Sequence, residues 1–178
     1  GRIEFKKALE DRVAILKGNS TDILENLKKN ININHGAREL VQTMNMNGSI
    51  TVLVSGGFTF LTEYLKELLD FKHTHANTLQ LIQKEFQKFE ITGKVEGLIL
   101  DKKAKLKYLN KYVKKYNLNH KDTICVGDGA NDIEMIRHAG IGVSYYGKTA
   151  LNKAADIHFN NTNLLGVLYA QGYTDNDI

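Results

Sequence analysis

Two short apolar runs, residues 50–54 and 123–126, each end in a small polar turn that leads straight into a helical pattern. The first is followed by Ser55-Gly56-Gly57, the second by Gly127-Asp128-Gly129-Ala130-Asn131-Asp132. A strand buried on both faces reads as such a continuous run, and its parallel neighbour must be reached through a long crossover. The alternation continues with a strand at 141–144, a helix near 149–154, a strand at 157–159 and a last helix from Leu164. Strands alternating with helices define an α/β domain on a parallel sheet.

The first 47 residues have a different character. Phe5, Leu9 and Val13 recur at helical spacing. Ser20 or Thr21 can cap a second helix holding Ile23, Leu24 and Leu27, and Gly36 precedes a third with Leu40, Val41 and Met44. The turn Met46-Asn47-Gly48 closes this stretch, so residues 1–47 are expected to form a helical unit and 48–178 the α/β unit. Helical spacing returns over 58–69, and Asp101 opens another helix. Residues 71–99 between them alternate irregularly around Ala76-Asn77 and Gly93, as short strands of a hairpin excursion would.

Composition narrows the function classes. A chain of 178 residues with 42% hydrophobic and 25% charged residues can bury a core and is not disordered by composition. The single cysteine, Cys125, cannot form an internal disulfide, which favours a reducing compartment, the cytoplasm. No apolar run approaches the roughly 18 residues of a membrane span. The basic stretch from Lys102 to Lys115 reads as the solvated face of an amphipathic helix, since Leu106, Leu109, Tyr112 and Val113 recur through it. Base recognition leans on arginine. Only four of the 24 basic residues are arginine, so nucleic acid is not the expected partner.

Ligands of open parallel sheets bind beyond the carboxyl ends of the strands, which directs attention to the two turns. Ser55-Gly56-Gly57 suits a phosphate: a hydroxyl donor, close backbone approach, and a helix N-terminus behind it. Asp128 and Asp132, four residues apart, can face one point, and carboxylate oxygen is the natural ligand of Mg²⁺. A lysine early in the basic helix could neutralise phosphoryl charge, but composition does not separate Lys105 from Lys103 or Lys107. Cys125, flanked by Ile124 and Val126 in a strand, is a packing thiol. His73 and His75 share a strand face without a third ligand at a recognisable spacing. Tyr145-Tyr146, just past a strand end, reads as a packed loop pair.

Together these stretches resemble the haloacid dehalogenase-like phosphatases, and among them the phosphoserine phosphatases. Val52-Leu-Val-Ser-Gly-Gly-Phe58 is similar to the family's second motif, Asp101-Lys-Lys-Ala-Lys-Leu-Lys107 to its third, and Cys125-Val-Gly-Asp-Gly-Ala-Asn-Asp-Ile-Glu-Met135 to its fourth. The block from Phe5 to Lys17 is similar to part of the helical cap, and the likeness runs from about Gly1 to Gly166. The resemblance implies a Rossmann-like parallel sheet flanked by helices, with a cap remnant over 1–47.

It further implies that Ser55 and the Gly56 N–H bind phosphate, and that Lys105, 18 residues before Thr123, stabilises the nucleophile and the transferring group. Asp128 would ligate Mg²⁺, with Asp132 holding the metal site from close by. Asn131 would touch substrate, Arg12 would pair with its carboxylate, and Phe5 would line the pocket. The implied reaction is hydrolysis of a small phosphomonoester, phosphoserine, to serine and phosphate through an aspartyl-phosphate, as the last step of serine synthesis.

One departure stands out. The family's nucleophile lies in an Asp-x-Asp after the first strand, and this sequence has no such pair in that setting. Asp175 and Asp177 have the spacing but follow no apolar strand. The sequence opens Gly1-Arg2-Ile3 without an initiator methionine. The expectation is a truncated form, inactive by itself, whose sheet lacks its first strand and is completed by an N-terminal fragment or an oligomer. The alternative is a non-catalytic phosphate- or partner-binding relative.

Overall fold

In the computed structural model, which describes residues 5–86, 88–101 and 103–178, eight α-helices and six strands follow one another along the chain. The chain resolves into two compact units, one of Gly1–Ile33 and Thr51–Asp101, the other of Asn34–Ile50 and Lys102–Ile178. Both mix helices with sheets that contain parallel pairs, the α/β class read from the sequence. The strands form two separate three-stranded sheets. The expected helical start over residues 1–4 and the place of Lys102 lie outside the described residues.

In the first unit, α1 (Phe5–Ala14) and α2 (Asp22–Lys29) are joined by a turn in which the Ser20 hydroxyl oxygen accepts the Asp22 N–H at 3.2 Å. Strand β1 (Val52–Phe58) leads into α4 (Thr59–Leu69) and then the hairpin of β2 (His73–Glu85) and β3 (Lys88–Glu96). The order is β1-β2-β3, the first pair parallel and the second antiparallel. Leu9 and Val13 on α1, Leu24 on α2, Leu79 on β2 and Ile91 on β3 form the core, with Phe58, Phe60 and Val95 packed against it. Segment 18–21 covers the β3 edge through Gly18 N–H to Ile91 O (2.9 Å) and Ile91 N–H to Asn19 O (2.9 Å). That contact removes an open edge that could otherwise pair with another chain.

Residues 71–99 therefore form two long strands rather than several short ones. Irregular alternation arises because the outer half of β2, from Gln80 to Glu85, is exposed on both faces, so no core imposes a period of two on it.

In the second unit, β4 (Ile124–Gly127), β5 (Ile141–Tyr145) and β6 (Ile157–Phe159) run parallel in that order. Helix α5 (Ala104–Lys115) buries Ala104, Tyr112 and Val113, three residues after the expected opening at Asp101. Its Lys111 and Lys115 lie along its own tyrosines, Lys115 Nζ at 5.0 Å from the Tyr116 ring centre. Such a cation–π contact occupies the lysines locally. One 3₁₀ turn, Ala130–Asp132, precedes α6 (Ile133–His138). Met135 and Ile136 of α6, Cys125 of β4 and Leu151 of α7 (Thr149–Asn152) form this unit's core. Tyr145 and Tyr146 pack edge to face, with ring centres 4.8 Å apart.

The units divide the chain elsewhere than at the expected 47/48 boundary, because α3 (Ala37–Met46) is held by the second unit. It packs on α8 (Leu165–Tyr169), and Leu164 donates its N–H to His35 O at 3.0 Å. Gly36 makes this approach possible: its φ is +82°, and a Cβ there would fall 2.7 Å from the Leu165 nitrogen. No helix among the described residues is long and apolar enough to cross a membrane.

Candidate active site

The site residues expected from the sequence fall into two groups, one in each unit. In the first, β1 does not stop at Val54 but continues through Ser55-Gly56-Gly57 to Phe58. The segment nevertheless leaves the regular ladder. Val54 pairs with His75 and Phe58 with Asn77, so four residues of β1 span the distance of two on β2. The excess bulges out as the Ser-Gly-Gly segment. Within it the Ser55 hydroxyl oxygen accepts the Gly57 N–H at 3.0 Å, which leaves the hydroxyl proton free to be donated elsewhere. The Phe5 ring lies against Gly56, where an added Cβ would sit 3.3 Å from the ring tip. Arg12 is exposed on the same helix as Phe5, seven residues or about two turns on, so the two share a face of α1.

In the second unit the fourth-motif stretch leaves β4 at Gly127 and folds its acidic residues back on themselves. Asp132 is fully buried. Its Oδ2 accepts the N–H groups of Asp128 (3.1 Å) and Gly129 (3.0 Å), and its Oδ1 is paired with Lys105 Nζ. Gly127 is required here: a Cβ on it would fall 2.5 Å from the Asp132 Cβ and Cγ. Lys105, whose side chain is only 16% exposed, is thereby singled out from its neighbours on α5. Lys103 and Lys107 are exposed. A buried carboxylate satisfied by two N–H groups and an ammonium holds both the turn and the lysine in one geometry.

Asp128 differs. Its side chain is exposed, and among the described residues nothing is hydrogen-bonded or ion-paired to its carboxylate. Asn131 is exposed beside it. No three metal-ligating side chains cluster among the described residues. The donor set is one free carboxylate next to a second that is fully engaged. Such an all-oxygen set is of the kind that hard divalent cations accept, since these can keep several waters and need few protein groups.

Cys125 lies below this turn on β4, and its thiol is pushed up to about 12, first by burial and then by the nearby Asp132 charge. A thiol of that kind is inert. Ellman's reagent should leave the native protein unlabelled at pH 8 and label one thiol per chain after unfolding. Labelling of the native protein at the rate of free cysteine would show that Cys125 is not packed as described.

The residue that sequence reasoning missed is Asn77. Its Nδ2 donates to Gly56 O at 2.8 Å and Gly57 O at 3.2 Å, while its Oδ1 accepts the Leu100 N–H at 2.8 Å. In the sequence it stands only as half of a turn signal, and its partners are about 20 residues away on either side. Asp175 and Asp177, the one Asp-x-Asp of the chain, are taken up at the C-terminus: Asp175 accepts from the Tyr169 hydroxyl and Asp177 from Thr174.

A parallel strand thus leads into Gly-Asp-Gly, where a buried lysine–carboxylate pair lies beside an exposed carboxylate in an α/β unit. The family model of the haloacid dehalogenase-like hydrolases matches residues 1–140, and the chain belongs to that family. Its relatives there are phosphoserine phosphatases. The enzyme of Lactococcus lactis subsp. lactis is 37% identical over 168 residues, covering 94% of this chain and 76% of that protein. The enzyme of Archaeoglobus fulgidus is 36% identical over 167 residues, again 94% of this chain but 47% of that protein. Among solved structures, a phosphoserine phosphatase captured as a phospho-aspartyl intermediate analogue superposes with a TM-score of 0.83 at 34% identity. It covers 94% of this chain and 78% of its own. The chain thus spans from about half to three quarters of the length of these relatives.

Proposed function

We propose that these residues serve a phosphomonoester hydrolase whose substrate is phosphoserine, released as serine and inorganic phosphate. The observation that carries this reading is the Lys105–Asp132 pair, set behind the free carboxylate of Asp128 at the end of a parallel strand. Ser55 donates its hydroxyl proton to a phosphoryl oxygen, and the backbone of Gly56 approaches closely because no side chain intervenes. Lys105, held by Asp132, offers a localised positive charge to the transferring group. Asn131 touches the substrate.

Asp128 would hold Mg²⁺, which when bound would neutralise phosphate charge. The nucleophile of this reading is a carboxylate, following the phospho-aspartyl relative. Its oxygen attacks phosphorus, the bond from phosphorus to the seryl oxygen breaks, and that oxygen takes up a proton. Water then cleaves the acyl phosphate. The only Asp-x-Asp of this sequence is tied up at the C-terminus. The reading therefore requires a nucleophile from protein outside these 178 residues, on the same gene product or an associated one. These residues alone should show no turnover. The reducing cytoplasm suits the single thiol.

Arg12 and Phe5 set specificity: the planar guanidinium fork matches a carboxylate, and the ring packs beside the Ser-Gly-Gly segment. Phosphate release by the full gene product should be faster from phosphoserine than from phosphoethanolamine, which lacks the carboxylate. Arg12→Ala should raise the KM for phosphoserine roughly 10- to 100-fold, the worth of one hydrogen-bonded charge. It should leave phosphoethanolamine hydrolysis unchanged. Equal effects on both substrates would remove Arg12 from this role. Phosphate binding without turnover in the full gene product would replace the enzyme by a binding module.

A further inference from the structure

We propose that Asn77 is a positioning residue for phosphate binding, acting through Ser55. The inference rests on the reading of Ser55 as a phosphate donor and goes beyond it by naming what sets the hydroxyl's direction. Asn77 is only 2% exposed, within β2, and its side chain hydrogen-bonds to the backbone of Gly56, Gly57 and Leu100.

The need for such a residue follows from the register. Four residues of β1 lie opposite two of β2, so the Gly56 and Gly57 carbonyls cannot all be met by the ladder of β2. Buried carbonyls without partners are costly. The Asn77 carboxamide takes both, and with its oxygen it also fixes Leu100, the last residue but one of the unit.

The consequence reaches Ser55 through the planarity of the peptide. Fixing the Gly56 carbonyl also fixes the N–H of Gly57, which lies on the opposite side of the same peptide plane. That N–H is donated to the Ser55 Oγ at 3.0 Å. An oxygen already accepting from behind directs its own proton outward, and such chains strengthen one another. Asn77, the Gly56 peptide, the Gly57 N–H and the Ser55 hydroxyl are thus four links in series. A buried asparagine that served the fold alone would stabilise the bulge but would have no reason to act through Ser55.

The test is a double-mutant cycle on the full gene product, with the dissociation constant of inorganic phosphate measured by titration calorimetry and the fold checked by circular dichroism. Asn77→Ala should weaken phosphate about tenfold with Ser55 present, and less than about twofold in the Ser55→Ala background, because residues in one network are not additive. Asn77→Ser, which keeps a single donor, should fall between Asn77 and Asn77→Ala, and it carries the cycle where Asn77→Ala fails to fold.

Equal weakening in both backgrounds, or no weakening, overturns the inference while leaving the functional reading intact. Failure of both variants to fold also overturns it and makes Asn77 a folding residue. A wild-type protein that neither binds phosphate nor hydrolyses phosphoserine removes the functional reading, and this inference with it.

Discussion

Replacing Asp132 by alanine should destabilise the protein by about 3–5 kcal/mol, the usual cost of breaking a buried ion pair from one side. Three donors lose their acceptor at once: the N–H groups of Asp128 and Gly129 and the ammonium of Lys105. Lys105 would keep its charge in a setting where only 16% of the side chain reaches solvent. Asp132→Asn should cost less than alanine, since one amide oxygen can still accept the two N–H groups, but it turns a neutral group toward the ammonium. Urea unfolding followed by circular dichroism measures both. A loss below about 1 kcal/mol for alanine would mean the pair is solvated rather than buried. Lys105→Met combined with Asp132→Asn should cost less than the sum of the two by about 1 kcal/mol or more, as coupled neighbours do.

The same pair shows how far the sequence could be read. The strand ending in Gly127-Asp128-Gly129 was legible, because a short apolar run that breaks into glycines and acids has few other uses. So was the α/β class, since β4 and β5 come from short apolar runs in which no residue is exposed, each leading into a helix. What composition could not do was separate Lys105 from Lys103 and Lys107. All three are lysines on the first turns of one helix, and only the fold shows which one meets Asp132. Local sequence fixes the helix, while the partner of a residue on it lies 27 positions away.

The departures have the same origin. Glycines at 56 and 57 predict a turn by local preference, yet the segment stays within β1 as a bulge whose Gly56 and Gly57 carbonyls accept from the Asn77 side chain on β2. Likewise α3 has the helical period of the segments before it. It belongs with α8 because Gly36 lets Leu164 and Leu165 come close, a contact across more than 120 residues. Periodicity reports which face of an element is apolar and is silent about what covers that face. Phe5 and Gly56 lie in contact although they are about 50 positions apart, a neighbourhood that neither helical spacing nor a glycine pair reports by itself.

Asp128→Asn should do the opposite of Asp132→Asn. The Asp128 side chain is exposed, and nothing among the described residues holds its carboxylate, so the fold has no stake in it. Its backbone N–H, which does matter to Asp132, is unchanged by the substitution. Stability should stay within about 0.5 kcal/mol of the parent, as for surface changes that break no partner. Turnover of phosphoserine by the full gene product should nonetheless fall by at least about a hundredfold, the scale on which losing one charge-stabilising group acts on a transition state. Because asparagine keeps the size and shape of the side chain, such a fall would be traced to the charge at that point. The two neighbouring acids are thereby separated by role: Asp132 is spent on holding the turn and Lys105, and Asp128 is left unspent. Undiminished turnover in Asp128→Asn would remove the carboxylate from the chemistry, and a large loss of stability would show that it has a structural partner.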